Sequence, residues 1–118
     1  MINNSDKVNY RQELTNKADA YFKNIDITKE IEDIKNKLER YLDKREYTIC
    51  LVKVNKGPIA IGQNTSSSYF FIPDNIDPLQ YRELFINEFQ KSGFSKEYME
   101  LSVRKRPYAD IYDIKLKW

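Results

Sequence analysis

The sequence predicts an α+β fold, in which N-terminal helical segments precede an antiparallel sheet of about five strands. Apolar residues recur at helical spacing over residues 5–45, and β-branched and aromatic residues dominate residues 47–72. A third helix with clear start and stop signals separates this region from two further strands. We therefore expect the order α-α-β-β-β-α-β-β, with the helices packed on one face of the sheet. The length suits a single domain over residues 1–118, in which residues 1–26 are a candidate separable helix.

Two helices are expected ahead of the sheet, over residues 5–24 and residues 28–45. The break falls at Asn24-Ile25-Asp26, because Asn tolerates a helix-ending conformation and Asp can cap the next helix. The pattern leaves open whether the two helices form a hairpin or one long kinked helix. The first helix carries an apolar stripe made up of Val8, Leu14, Ala18, Tyr21 and Phe22. We expect this stripe to pack against the second helix or against the same helix of a second chain.

Three strands are expected next. Residues 47–54 are apolar on both faces, which is typical of a central strand. Residues 55–58 form a turn, residues 59–62 a second strand, and residues 68–72 a third strand. Because the links between these segments are short, we expect the strands to pair antiparallel.

The third helix has the clearest signals in the chain. Asp77 can accept a hydrogen bond from a first-turn N–H, Pro78 suits the first helical position, and Gln80 can complete a capping box. Gly93 suits the left-handed residue that closes a helix. These signals predict a helix over residues 78–92.

Two strands with alternating patterns complete the predicted sheet. In the first, the apolar residues Met99, Leu101 and Val103 alternate with polar ones, which is typical of a half-buried strand. After a turn at residues 106–109, apolar residues again occupy alternate positions over residues 112–118.

Composition narrows the classes of function. Histidine is absent, which removes the commonest general base and the commonest zinc ligand, and we expect no metal and no cofactor. Cys50 is the single cysteine, so an internal disulfide is impossible and a reducing, cytoplasmic location is expected. No apolar run is long enough to cross a bilayer, and no membrane partner is expected. A net charge of +2 does not by itself predict a nucleic-acid partner.

Basic and aromatic residues concentrate in the last hairpin and form the best binding candidate. They are Arg104, Lys105, Arg106, Tyr108, Tyr112, Lys115 and Lys117. Such residues can hold phosphates and stack bases, so the hairpin could bind nucleic acid or, as a histidine-free ribonuclease, stabilise a phosphate transition state. Alternatively, the basic residues protect a solvent-exposed sheet edge from aggregation. Asp110 and Asp113 interrupt the basic patch and favour the second interpretation.

The hypothesis we prefer is a small cytoplasmic protein that binds another protein, or a second copy of itself, without catalysis. It depends on the missing catalytic signals and on surplus apolar surface, namely the first helix and the aromatic run Tyr69-Phe70-Phe71. Frequent Asn, Lys and Ile indicate an AT-rich genome, and a phage or mobile-element regulator or inhibitor of a host protein would fit. The alternative is a nucleic-acid-binding module that uses the basic hairpin.

Overall fold

The computed structural model describes residues 4–57 and 67–118, with side chains described from residue 9 onward except at residues 22 and 23. Three α-helices and four strands make up this part of the chain, so the predicted α+β class is confirmed. The helices are α1 (Asn4–Lys23), α2 (Thr28–Leu38) and α3 (Pro78–Lys91). The strands are β1 (Glu46–Val54), β2 (Ser67–Phe71), β3 (Met99–Lys105) and β4 (Ala109–Lys117).

The sheet is mixed, which corrects the expectation of an antiparallel sheet of about five strands. Its four strands lie in the order β2-β1-β4-β3. The β1–β4 and β3–β4 pairs are antiparallel, but β1 and β2 are parallel neighbours, with Cys50 opposite Tyr69. A parallel pair needs a connection of about a dozen residues, and residues 55–66 supply that length. The strand predicted over residues 59–62 lies outside the described residues.

The core lies between one face of the sheet and the two later helices, as predicted. Residues from α2, α3, β1 and β4 form one buried cluster, whose largest members include Ile34, Phe85, Phe89, Ile49 and Leu116. We call this side of the sheet the helix face. On β1 the cluster takes alternate residues, because successive side chains of a strand point to opposite faces. The remaining side chains of each strand therefore point to a second face.

The third helix forms where its local signals predict. The Asp77 carboxylate accepts a hydrogen bond from the Gln80 backbone N–H at 3.1 Å, and Pro78 is the first helical residue. Gly93 has a φ of +100°, a conformation that side-chain-bearing residues rarely adopt. Capping and termination therefore fix both ends of α3.

The second helix is shorter than predicted. It ends at Leu38 rather than continuing to residue 45. The Tyr41 ring stacks on Tyr47 of β1 with 5.7 Å between ring centroids, and Arg45 takes a left-handed φ of 56° immediately before the strand. The chain therefore leaves the helix early to turn into β1 and cover its start.

The first helix does not show the first of its two expected arrangements. Every described side chain of α1, from Asn9 to Tyr21, is exposed, so its apolar residues there do not form a buried contact with residues 28–45. The Cα radius of gyration is 17.6 Å, against about 13.5 Å for a compact chain of this length. An exposed α1 accounts for an elongated shape. The separability of residues 1–26 and the packing of α1 on a second chain stay predictions.

Candidate functional site

The register of the strands gathers polar side chains on the second face. Cys50 of β1 lies opposite Tyr69 on one side and Asp113 on the other, and Asp113 lies opposite Ser102. With Arg104, these residues line a depression of about 580 Å³. We call Cys50, Tyr69, Ser102, Arg104 and Asp113 the polar cluster.

An ion pair forms the centre of the polar cluster. Arg104 Nε lies 2.6 Å from Asp113 Oδ2 and Arg104 Nη2 lies 3.1 Å from Oδ1, so the guanidinium binds the carboxylate with two parallel bonds. Ser102 Oγ donates to Asp113 Oδ2 at 3.3 Å. The hydrogen bond to Asp113 raises the pKa of Arg104 above its usual value. The Asp113 side chain is only 7% exposed, so its charge depends on these partners.

Cys50 is a weak candidate for a nucleophile. It is buried, and Arg104 Nη2 donates to its sulfur at 3.6 Å. Burial, followed by the hydrogen bond to Asp113, raises the pKa of the Cys50 thiol to about 12. The reactive form of cysteine is the thiolate, and at neutral pH this thiol stays protonated. The polar cluster therefore has no activated sulfur.

Two further predicted site residues lie on the second face, and each has a carboxylate partner. Lys115 Nζ lies 3.7 Å from Glu46 Oε2, and Lys117 Nζ pairs with Glu100 Oε1. The hydrogen bond from Lys117 lowers the pKa of Glu100. Together with the Arg104–Asp113 pair, these contacts make an alternating, charge-balanced surface rather than a continuous basic patch.

The other predicted site residues do not join this surface. Tyr112 lies on the helix face, where the Arg82 guanidinium sits 5.9 Å from its ring centroid. Lys105 follows Arg104 in β3 and therefore points to the opposite side of the sheet. Arg106 and Tyr108 belong to the turn: Arg106 N–H donates to the Ala109 carbonyl, and the Tyr108 ring is exposed.

Sequence reasoning missed the polar cluster because its members come from all four strands. In the sequence Asp113 interrupts the basic patch, and its pairing with the basic residues would make the patch a salt-bridged sheet surface; in the structure Asp113 is the group that binds Arg104. The alternation of Asp113 with apolar residues in β4 could have placed it opposite the core. Nothing in the sequence pattern pairs β1 with β2, so Tyr69 could not have been placed beside Cys50.

A second feature is the outer edge of β3, which among residues 4–57 and 67–118 pairs with β4 on one side only and is therefore called its free edge. Leu101 and Val103 lie on the helix face of this strand and stay 49% and 42% exposed. Arg106 N–H donates to the Ala109 carbonyl at 2.8 Å, which makes residues 106 and 109 a hydrogen-bonded pair. Such pairs alternate along an antiparallel ladder, so Ser102 and Arg104 bond to β4. The backbone groups of Leu101 and Val103 therefore point outward.

Comparison with known proteins adds no family to this description. The chain has no significant match to a protein-family model, to a curated protein or to a solved structure. Within residues 4–57 and 67–118, no group of acidic, cysteine or histidine side chains could hold a metal ion. Over the same residues, no helix combines the length and apolar character needed to span a membrane. A proposal about function therefore depends on the fold and the surfaces described above.

Proposed function

We propose that this protein is a non-catalytic protein-binding module that accepts an extended segment of its partner as an additional strand beside β3. The observation that carries the proposal is the free edge of β3, where outward backbone N–H and C=O groups adjoin the exposed apolar residues Leu101 and Val103. Strand addition of this kind takes its affinity from main-chain hydrogen bonds and its specificity from alternate side chains. A long edge with exposed apolar residues is otherwise an aggregation hazard.

The side chains of β3 define the chemistry of the partner strand. On the helix face, Leu101 and Val103 favour apolar side chains at matching positions. On the second face, Glu100 and Arg104 carry opposite charges two positions on either side of Ser102. A partner strand that also has an acidic residue four positions before a basic one would, when paired antiparallel, place each charge opposite its complement. A strand that placed like charges opposite each other would be rejected.

The charge-paired second face supports binding without catalysis. Arg104 is bound by Asp113, and the Cys50 thiol is buried with a raised pKa. The nucleic-acid alternative has less support than strand addition, because Arg104, Lys115 and Lys117 each have a carboxylate partner and Tyr112 lies on the other face. Phosphate binding depends on basic groups that are available to neutralise phosphates and so release the counterions condensed on the nucleic acid.

The cellular setting is a proposal from composition. A single buried cysteine suits the reducing cytoplasm, and the Asn-, Lys- and Ile-rich sequence suits an AT-rich phage or mobile element. A small module that adds a strand to a host protein would serve as a regulator or inhibitor of that protein.

The test uses a proline at the edge of β3. Val103→Pro removes an outward N–H without removing a β3–β4 hydrogen bond, and edge strands tolerate proline at such positions. The matched control is Leu42→Lys, which changes an exposed apolar residue away from β3. Both variants must keep the wild-type circular dichroism spectrum. We expect the wild type and Leu42→Lys to retain the same protein from cell lysate. Val103→Pro should retain at least about tenfold less of that protein. Equal retention by all three chains would contradict strand addition at β3.

A further inference from the structure

We infer that the segment that adds to β3 is β3 of a second copy of this chain, paired antiparallel about a two-fold axis at Ser102. This inference rests on the proposed strand addition and names its partner. It follows from three properties of β3: the alternation of its backbone bonds, the pattern of its side chains and the position of its centre.

The backbone alternation permits this pairing. The outward groups belong to the odd-numbered residues of β3, because Ser102 and Arg104 bond to β4. Centring two antiparallel copies on Ser102 places Leu101 opposite Val103 of the second copy, and both of these residues have outward N–H and C=O groups. The Ser102 residues of the two copies then face each other as a pair without backbone bonds between them.

The side chains of β3 are complementary to themselves in this register. Leu101 meets Val103 of the second copy on the helix face, which covers the two exposed apolar residues of the edge. On the second face, Glu100 meets Arg104 of the second copy, and the reverse contact repeats across the axis. Within each chain Arg104 already binds Asp113 and Cys50, and Glu100 binds Lys117, so both charged ends lie toward β4. The two existing ion pairs then face each other across the axis with opposite charges at matching positions.

Other registers lose this complementarity. A shift of one residue turns the apolar residues toward the charged face of the second copy. Centring on Leu101 places Glu100 opposite Ser102, and centring on Val103 places Arg104 opposite Ser102, so the Glu100–Arg104 contact is lost in both. Ser102 is also the middle residue of Met99–Lys105, so only this centre pairs the strand along its whole length.

The result is a closed assembly. Joining two four-stranded sheets at β3 gives one continuous sheet of eight strands, in which the free β3 edges are removed. The same surface is used by both copies, as a two-fold dimer requires, and no further copy can add at β3.

Cysteine cross-linking tests the register directly. Residues that face each other without backbone bonds have Cα atoms about 4.5 Å apart, within the range for a disulfide. Ser102→Cys should therefore form a disulfide-linked dimer under mild oxidation. In the matched control Lys105→Cys, which leaves the Glu100 and Arg104 charges in place, the two cysteines would lie about 20 Å apart along the strands, too far for a disulfide. The native Cys50 is buried and should not interfere.

We expect the wild type to have about twice the chain mass of 14.1 kDa by light scattering, and Val103→Pro to have the single-chain mass. We also expect Ser102→Cys to cross-link at least tenfold faster than Lys105→Cys. A monomeric wild type, or equal cross-linking of the two cysteine variants, would overturn the inference. If the wild type is a monomer that still captures a different protein in a Val103-dependent way, the self-pairing fails while the proposed strand addition stands. A monomeric wild type that also captures no other protein through Val103 would contradict both proposals.

Discussion

The ion pair of Arg104 and Asp113 offers the most quantitative prediction about the stability of this protein. In Asp113→Asn the side chain keeps its shape but loses its charge. The amide oxygen can still accept one hydrogen bond from Arg104, whereas the amide nitrogen is a donor and cannot replace the second. Breaking a fully buried pair costs about 3–5 kcal/mol, and an exposed pair contributes at most about 1 kcal/mol. The Asp113 side chain is 7% exposed and that of Arg104 is 38% exposed, so this pair lies between the two cases. We expect the free energy of unfolding to fall by about 2 kcal/mol. This value is closer to that of an exposed pair than to that of a fully buried pair, because water can solvate Arg104.

Thermal and chemical denaturation measure this loss. An unfolding entropy of about 2.1 cal/mol/K per residue gives about 0.25 kcal/mol/K for a chain of this length, so the melting temperature should fall by about 8 °C. The control Lys115→Gln removes an exposed pair with Glu46 and should cost less than about 0.5 kcal/mol. The double variant Arg104→Met/Asp113→Leu should be more stable than Asp113→Asn, because it leaves no unpaired charge. An Asp113→Asn variant within about 0.5 kcal/mol of the wild type would refute the reasoning.

Three further predictions follow from burial and charge. Phe85→Ala should lose about 3–5 kcal/mol of unfolding free energy in urea, because Phe85 is fully buried, and Leu79→Ala, at an exposed position of α3, should change little. Cys50 should resist alkylation until the chain is unfolded. Because folding raises the pKa of the Cys50 thiol, the contribution of Cys50 to the free energy of unfolding is complete below about pH 9 and is lost as the pH rises toward 12. The stability difference between the wild type and Cys50→Ala should therefore shrink over that range. Fluorescence anisotropy with single- and double-stranded DNA and RNA should detect no salt-dependent binding, whereas binding at low salt that weakens steeply with added salt would favour the nucleic-acid alternative.

The sequence predicted best those elements whose causes are local. The limits of α3 follow from Asp77, Pro78 and Gly93, each of which acts within one turn of the helix. The alternation of β3 and β4 likewise predicted which residues would share a face. These signals need no knowledge of what packs nearby.

The sequence could not predict features that depend on contacts between distant segments. Parallel pairing of β1 and β2 depends on the path between them, and the apolar pattern of β1 fits either direction of its neighbour. The Arg104–Asp113 pair and the approach of Cys50 to Arg104 appear only once the register is known. For α1 the apolar spacing predicted a helix, but spacing does not determine what covers it.

Hydrogen exchange at individual backbone amides of β3 tests the central claim most directly. The Ser102 and Arg104 amides bond to β4 and should be protected at every protein concentration. The Leu101 and Val103 amides point outward, so their protection should rise with protein concentration. In the monomeric Val103→Pro variant, the Leu101 amide should be unprotected. Strand addition at β3 would be contradicted if the Leu101 and Val103 amides exchange rapidly at every protein concentration and also when any captured partner is bound.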